Sequence, residues 1–191
     1  MSSNKLSAFA GHDKVASGDL RSIAVDLKAI IEHDPLAQIL IFDDMTGAQL
    51  DLNLHGTLEQ VLQRLPRPPV EMATPRTAGR PRLGVVAREV TLLPRHWEWL
   101  AGQPGGASVA LRKLVEHAQR DNREADQQRQ ARDAAYRFIS AMAGNQAGFE
   151  EACRALFAAK REQFAACIAN WPSDIRQQAL RMAAPSFGAA G

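Results

Sequence analysis

The spacing of hydrophobic positions changes along the first third of the chain, and each change predicts a new element. Short apolar segments at Ser7–Ala10 and Lys14–Ser17, each followed by a glycine, predict two β-strands. After Asp19, which fits the N-cap of a helix, apolar residues recur at every third or fourth position. This amphipathic stripe predicts a helix whose core-facing side is formed by Leu20, Ile23, Ala24, Leu27, Ile30 and Ile31.

A second strand pair and a short helix complete the N-terminal segment. Gln38–Asp43 and Gln49–Asn53 flank a polar turn and predict a hairpin, and Leu58–Leu65 predicts a helix. Asp43, Asp44 and Asp51 lie near this turn, where carboxylates are common because they cap backbone amides. We therefore predict a small α+β module over residues 1–66.

The middle of the chain changes character twice. Residues 67–83 contain four prolines and no hydrophobic periodicity, which predicts a basic, extended linker. Beyond it, Gly84–Leu93 is typical of a strand and Pro94–Gly102 of a short helix, and a second helix starts at Ser108 after a Pro-Gly-Gly turn. We predict a strand-helix-helix unit over residues 84–120.

Residues 121–191 are predicted to be helical, which makes the fold class α+β. The stretch Gln119–Arg132 is almost wholly polar, so the second helix of the central unit either continues as a solvated helix or breaks locally. Gly144 ends the helical pattern, and we expect the chain to be frayed from Pro185 onwards. Three further short helices are predicted over Phe149–Ala159, Glu162–Asn170 and Ser173–Ala183.

Composition places the chain among globular proteins. Of its 191 residues, 46% are hydrophobic and 23% are charged, and no apolar run is long enough to span a bilayer. The first residues lack the pattern of a secretory signal, so we expect a cytoplasmic protein without a membrane partner. Cys153 and Cys167 lie in helical patterns as buried thiols, which excludes a disulfide scaffold and a cysteine-rich zinc site.

Candidate enzymatic motifs are incomplete. The five histidines are scattered, and no two have the i, i+4 spacing of a helical zinc site. The segment His96-Trp97-Glu98 lacks the cysteines of a deaminase zinc site, and the glycine-rich segment 102–108 lacks the Gly-Lys-Ser/Thr ending of a P-loop. We therefore predict no catalytic residue, no metal and no cofactor, and the sequence identifies no small-molecule ligand.

Charge is distributed unevenly, although the net charge is only +2. Residues 1–66 carry five Lys/Arg against nine Asp/Glu, whereas residues 67–120 carry nine Lys/Arg against four Asp/Glu. Such an asymmetry either marks a surface for a polyanion or reflects a solvated face.

The basic central unit resembles the ribbon-helix-helix fold of DNA-binding repressors and antitoxins. In that family a strand runs into Pro-x-x-apolar-x-x-apolar, which is matched by Pro94, Trp97 and Leu100. A later Ser-x-Ala-apolar-Arg pattern opens the second helix and is matched by Ser108, Ala110, Leu111 and Arg112. Leu114 and Val115 continue the buried face of this helix. The resemblance implies a homodimer whose paired strands form a ribbon that enters the major groove of DNA.

Candidate DNA contacts follow from this resemblance and from a neighbouring basic segment. The N-terminus of the second helix, with the Ser108 hydroxyl, would face a phosphate, and Arg112 and Lys113 would add positive charge. Gly79-Arg80-Pro81-Arg82 is similar to the core of AT-hook segments. Arg80 and Arg82 would then lie in a narrow minor groove, unless the segment is only a flexible basic linker.

The predicted strand has two registers in which it could face the bases. In the register usual for ribbon-helix-helix proteins, Arg88, Val90 and Leu92 face the DNA, whereas Glu89 and Thr91 do so in the reverse register. Neither face offers the polar trio that reads base edges, so the strand does not support sequence-specific recognition.

Two tryptophans lie on the first helix of this unit. Trp97 falls on the apolar face with Leu100, and we predict that it belongs to the core. Trp99 lies about 200° around the helix from Trp97. We expect the C-terminal helices or a dimer partner to cover it.

A second resemblance is carried by three longer stretches, Gly79–Val115, Ala135–Phe157 and Asn170–Arg176. Over nearly its whole length the sequence resembles a family of bacterial proteins known as domain of unknown function 2239. The resemblance implies a bacterial cytosolic protein and supplies no mechanism.

These observations leave two main hypotheses of function. The first is a non-enzymatic, dimeric DNA-binding protein, a transcriptional regulator that contacts DNA through residues 79–120. The alternative is a non-enzymatic, oligomerising protein-interaction module without DNA binding. A small-molecule enzyme ranks third.

Overall fold

The computed structural model describes residues 5–66 and 86–188, which form two compact units. One unit combines residues 5–66 with residues 124–188, and the other comprises residues 86–123. The segments predicted as an N-terminal module and as a helical C-terminal region therefore fold together.

The described residues form a mixed α and β structure, as predicted. The strands are β1 (Leu6–Ala10), β2 (Asp13–Gly18), β3 (Ile39–Asp43) and β4 (Gln49–Leu50). The helices are α1 (Leu20–His33), α2 (Leu58–Arg64), α3 (Pro94–Ala101), α4 (Gly106–Asp121), α5 (Arg123–Ala143), α6 (Phe149–Phe157), α7 (Arg161–Cys167) and α8 (Ser173–Ala183), followed by a 3₁₀ helix (Ala184–Phe187).

The four strands form one antiparallel sheet in the order β2-β1-β3-β4. The predicted hairpin is present, although β4 is shorter than the predicted Gln49–Asn53. Asp43 Oδ1 accepts hydrogen bonds from the amides of Met45 and Thr46 at 2.8 and 2.9 Å, which confirms its predicted role in capping the turn.

One face of the sheet packs against α1 and α2. Alternation along β1 places Leu6 and Ala8 on this face, where they join Ile23 and Leu27 of α1 in a hydrophobic core. Asp19 caps α1 as predicted, because its carboxylate accepts from two first-turn amides, each at 2.9 Å. The hydrogen bonds from the second of these residues, Ser22, lower the pKa of the Asp19 carboxyl.

The opposite face of the sheet packs against the C-terminal helices. Phe9 and Phe42 point to this side, and their ring centroids lie 5.4 and 5.1 Å from that of Phe138 on α5. All three rings are almost fully buried. A module of residues 1–66 alone would leave Phe9 and Phe42 exposed, and this is the physical reason why the N-terminal segment shares a unit with residues 124–188.

Two details of the helical region resolve or correct the sequence predictions. The long polar helix breaks at Asn122, whose side-chain amide donates to the Ala118 carbonyl at 2.8 Å. The prediction of a frayed end from Pro185 onwards is wrong for the described residues, because Phe187 packs against Phe164 with centroids 5.8 Å apart. Residues 189–191 lie outside the described part of the chain.

Cys153 and Cys167 are free and only half-buried, less than predicted, and burial raises the pKa of the Cys153 thiol. Of the helices that the structure describes, none combines the length and the apolar character needed to cross a lipid bilayer.

Candidate nucleic-acid interface

The unit of residues 86–123 consists of α3 and α4, joined by a tight glycine turn. Pro94 starts α3 at the first helical position, where its missing N–H costs nothing. Gly105 has φ +87°, and a Cβ there would lie 3.1 Å from the side chain of Val109. Both helices of the unit therefore occur near their predicted positions, and glycine is required at the turn.

The N-terminus of α4 differs from the prediction that Ser108 opens the helix. α4 begins at Gly106, two residues earlier, because Gly105 and Gly106 both accept the positive φ that the turn needs. Ser108 therefore lies within the first turn and is exposed. The N-cap residue Gly105 makes no side-chain cap hydrogen bond, so the first turn presents backbone amides and an exposed hydroxyl, a pattern that suits an anion.

Residues 86–93 form no strand within the chain, whereas a strand was predicted over Gly84–Leu93. Leu93 itself is extended, with φ −68° and ψ 151°. The strand of a ribbon takes its hydrogen bonds from a second chain, so the intermolecular pairing and its register stay predictions. Residues 84 and 85 lie outside the described part of the chain.

Few side chains are buried in this unit. Within residues 86–123, Leu100 and Ala110 are the two buried side chains, with 2% and 7% of their surfaces exposed. Trp97 is 42% exposed, so its predicted place in the core is wrong for the single chain. Two helices that pack only along one seam cannot bury a second apolar face.

Most of the remaining large apolar side chains of the unit are exposed. Leu114 and Val115 were predicted to continue the buried face of α4, but they are 48% and 53% exposed. Trp99 is 54% exposed, and its cover by a partner stays a prediction. The exposed large apolar residues of the unit are Val86, Val90, Leu93, Trp97, Trp99, Leu114 and Val115, which we call the apolar set.

The predicted contact residues are accessible where the structure describes them. Arg88 and Val90 are exposed, and Leu92 is half-buried. Arg112 lies one helical turn after Ser108 on α4 and is exposed like it, whereas Lys113 is exposed about 100° further around the helix. Arg80 and Arg82 lie outside the described residues.

The predicted contact residues left out two arginines near the break between the two helices, Arg120 in the last turn of α4 and Arg123 at the start of α5. Arg120 and Arg123 line a shallow depression together with Glu116 and Gln119. The signal that could have found them is their spacing, because residues three positions apart are neighbours wherever the chain is helical. They extend the basic character of the unit, where residues 86–123 carry six Lys/Arg against four Asp/Glu.

Within residues 5–66 and 86–188, no group of three or more His, Cys, Asp or Glu residues is arranged to hold a metal ion.

Comparisons with known proteins give a family but no activity. A family model described as an uncharacterized protein conserved in bacteria (DUF2239) matches residues 5–183. No curated protein and no solved structure shows a significant match to the chain.

Proposed function

The chain belongs to the bacterial DUF2239 family, and we propose that it is a non-enzymatic, homodimeric DNA-binding protein, a transcriptional regulator of the bacterial cytoplasm. DNA is contacted by the unit of residues 86–123 and by the basic segment that precedes it. The proposal rests on one observation: the unit of residues 86–123 exposes its apolar set and also presents basic residues on α4.

The apolar set supports pairing of two copies of this unit. Units below about 40 residues usually need disulfides, metals or oligomerisation to be stable. This one buries two side chains and leaves two tryptophans, Trp97 and Trp99, about half exposed. A second copy of the same unit supplies a matching apolar surface. Two-fold pairing of the same surface on two identical chains is the commonest arrangement among soluble homo-oligomers.

The N-terminus of α4 and the neighbouring arginine support the choice of DNA as the ligand. Ser108 lies among the first-turn amides of α4, and Arg112 follows Ser108 by about one helical turn. Backbone amides at helix N-termini and arginine side chains are frequent phosphate contacts in protein–DNA complexes. Because Val90 and Leu92 cannot read base edges by hydrogen bonding, we expect binding with little sequence preference.

A matched pair of variants tests this proposal. Arg112→Gln with Lys113→Gln removes two charges from α4, and Lys160→Gln with Arg161→Gln removes an adjacent, exposed Lys-Arg pair from the other unit. Fluorescence anisotropy with a mixed-sequence duplex should show weaker binding for the first variant, with a salt slope lower by about two units. The second variant should bind like the wild type. Equal affinity of both variants would contradict the assignment of α4 to the interface.

The alternative function, a protein-interaction module without DNA binding, is favoured by the exposed tryptophans. Trp and Tyr are enriched where protein surfaces associate. This alternative predicts a dimer in solution and no change of anisotropy with any duplex at low salt.

A further inference from the structure

A polar cluster lies within the unit formed by residues 5–66 and 124–188, where the sheet meets α8. It joins Ser7 of β1, Lys14 of β2, Asp44 after β3, and Gln178 and Arg181 of α8. Ser7 and Gln178 are almost fully buried, although neither side chain is apolar. Buried polar side chains need partners, so the hydrogen bonds of this cluster can be followed atom by atom.

Hydrogen-bond donors exceed acceptors at the centre of this cluster. Gln178 Oε1 faces Lys14 Nζ at 3.3 Å and Ser7 Oγ at 3.5 Å, and Arg181 Nη2 contacts it as well. Arg181 Nη2 also donates to Ser7 Oγ at 3.3 Å. An amide oxygen has two lone pairs, so it cannot satisfy three donors, two of which belong to cations. The Lys14 ammonium therefore shares its neutral acceptor with Arg181, which has further acceptors of its own in Ser7 Oγ and Asp44 Oδ2.

The carboxylates of the cluster accept hydrogen bonds from groups other than the Lys14 ammonium. Asp44 accepts from Gln178 Nε2 at 2.8 Å through Oδ1 and from Arg181 Nη2 at 3.3 Å through Oδ2. Asp174 Oδ2 accepts from the backbone N–H of Lys14 at 2.8 Å. Among the described residues no carboxylate lies within ion-pair distance of the Lys14 ammonium. Burial, together with the charge of Arg181, lowers the pKa of Lys14.

A cavity opens onto these two cations. Its volume is about 360 Å³, and its lining residues are Lys14, Asp174, Gln177, Gln178 and Arg181. Small-molecule sites commonly have volumes of about 300–1,000 Å³ and a few convergent polar groups. The cavity can therefore accept a small molecule directly against Lys14 and Arg181.

We propose that this cavity binds a small anionic molecule, whose carboxylate or phosphate group lies between Lys14 and Arg181. An oxyanion supplies the Lys14 ammonium with acceptors in addition to Gln178 Oε1, and it forms charge-assisted hydrogen bonds with both cations. The site is made from residues of one unit and is independent of the proposed DNA contacts.

Titration of the whole chain with two simple anions tests the site. Inorganic phosphate and acetate are added separately at constant ionic strength, with chloride as the reference, and ¹H–¹⁵N spectra are recorded. At least one anion should shift the amide signals of Lys14 and Gln178 saturably, and the more effective anion identifies the group that is bound. Lys14→Gln and Arg181→Gln should each weaken binding by about tenfold or more, since a charged hydrogen bond is lost.

Two further comparisons make the result decisive. Lys160→Gln and Arg154→Gln make the same changes at exposed positions of the same unit, and should leave the affinity unchanged. Asp44→Asn removes the carboxylate that competes for Arg181, and should tighten binding severalfold. Absence of a saturable shift with both anions, an unchanged affinity of Lys14→Gln, or no tightening in Asp44→Asn would each overturn the proposal.

Discussion

Replacing Phe138 with alanine should destabilise the N-terminal sheet as well as the helix that carries the mutation. Phe138 is fully buried and contacts Phe9 and Phe42 from the sheet, at centroid distances of 5.4 and 5.1 Å. Truncation of a buried phenylalanine costs about 3–5 kcal/mol, which includes the cavity left behind. Two aromatic pairs are also lost, each worth about 0.5–1.5 kcal/mol within that total.

Phe157→Ala provides the matched control. Phe157 is 49% exposed and packs against Tyr136 at a centroid distance of 5.4 Å. Because only about half of its surface is removed from water, its truncation should cost about 1 kcal/mol. Urea unfolding followed by far-UV circular dichroism gives the free energy of unfolding of both variants.

Native-state hydrogen exchange then shows where the loss of stability is felt. In Phe138→Ala the amides of β1 and β3 should exchange faster together with those of α5, because the three elements share one core. Unchanged protection of β1 and β3 in this variant would refute the conclusion that residues 5–66 and 124–188 fold as one unit.

Two further predictions concern the proposed dimer and its basic segment. Val90→Pro removes a strand hydrogen-bond donor, so light scattering after size exclusion should show a dimer for the wild type and a monomer for the variant. A monomeric wild type would contradict the ribbon model. The double variant Arg80→Ala with Arg82→Ala should weaken DNA binding. A loss of affinity confined to A·T-rich duplexes indicates minor-groove contact, and a uniform loss of affinity indicates phosphate contacts. An unchanged affinity would mean that the segment is only a linker.

The local elements could be predicted from the sequence because short-range rules determine them. The stripe of α1, its Asp19 cap and the start of α8 at Ser173 follow from spacing and capping preferences within a few residues. Where two local rules compete, the prediction shifted by a few residues. At α4 the freedom of Gly105 and Gly106 to adopt positive φ outweighed the capping preference of Ser108.

Long-range packing could not be predicted in the same way. Alternation in β1 indicates two faces, but it does not identify α5 as the element that covers Phe9. The polar cluster was missed because Asp44 and Arg181 are separated by 137 positions, and no local pattern links them. The accessible position of Arg112 was predictable from the resemblance, whereas the exposure of Trp97 was not, since helical spacing identifies an apolar face but not whether another element covers it.

The affinity of the chain for a mixed-sequence DNA duplex, measured as a function of salt concentration, tests the proposed function most directly. We predict binding at low salt by a dimer, with log K falling linearly as log salt rises, by about 0.9 for each phosphate contacted. A chain that leaves the duplex unbound even at the lowest salt concentration would contradict the proposal that residues 86–123 form a DNA-binding unit.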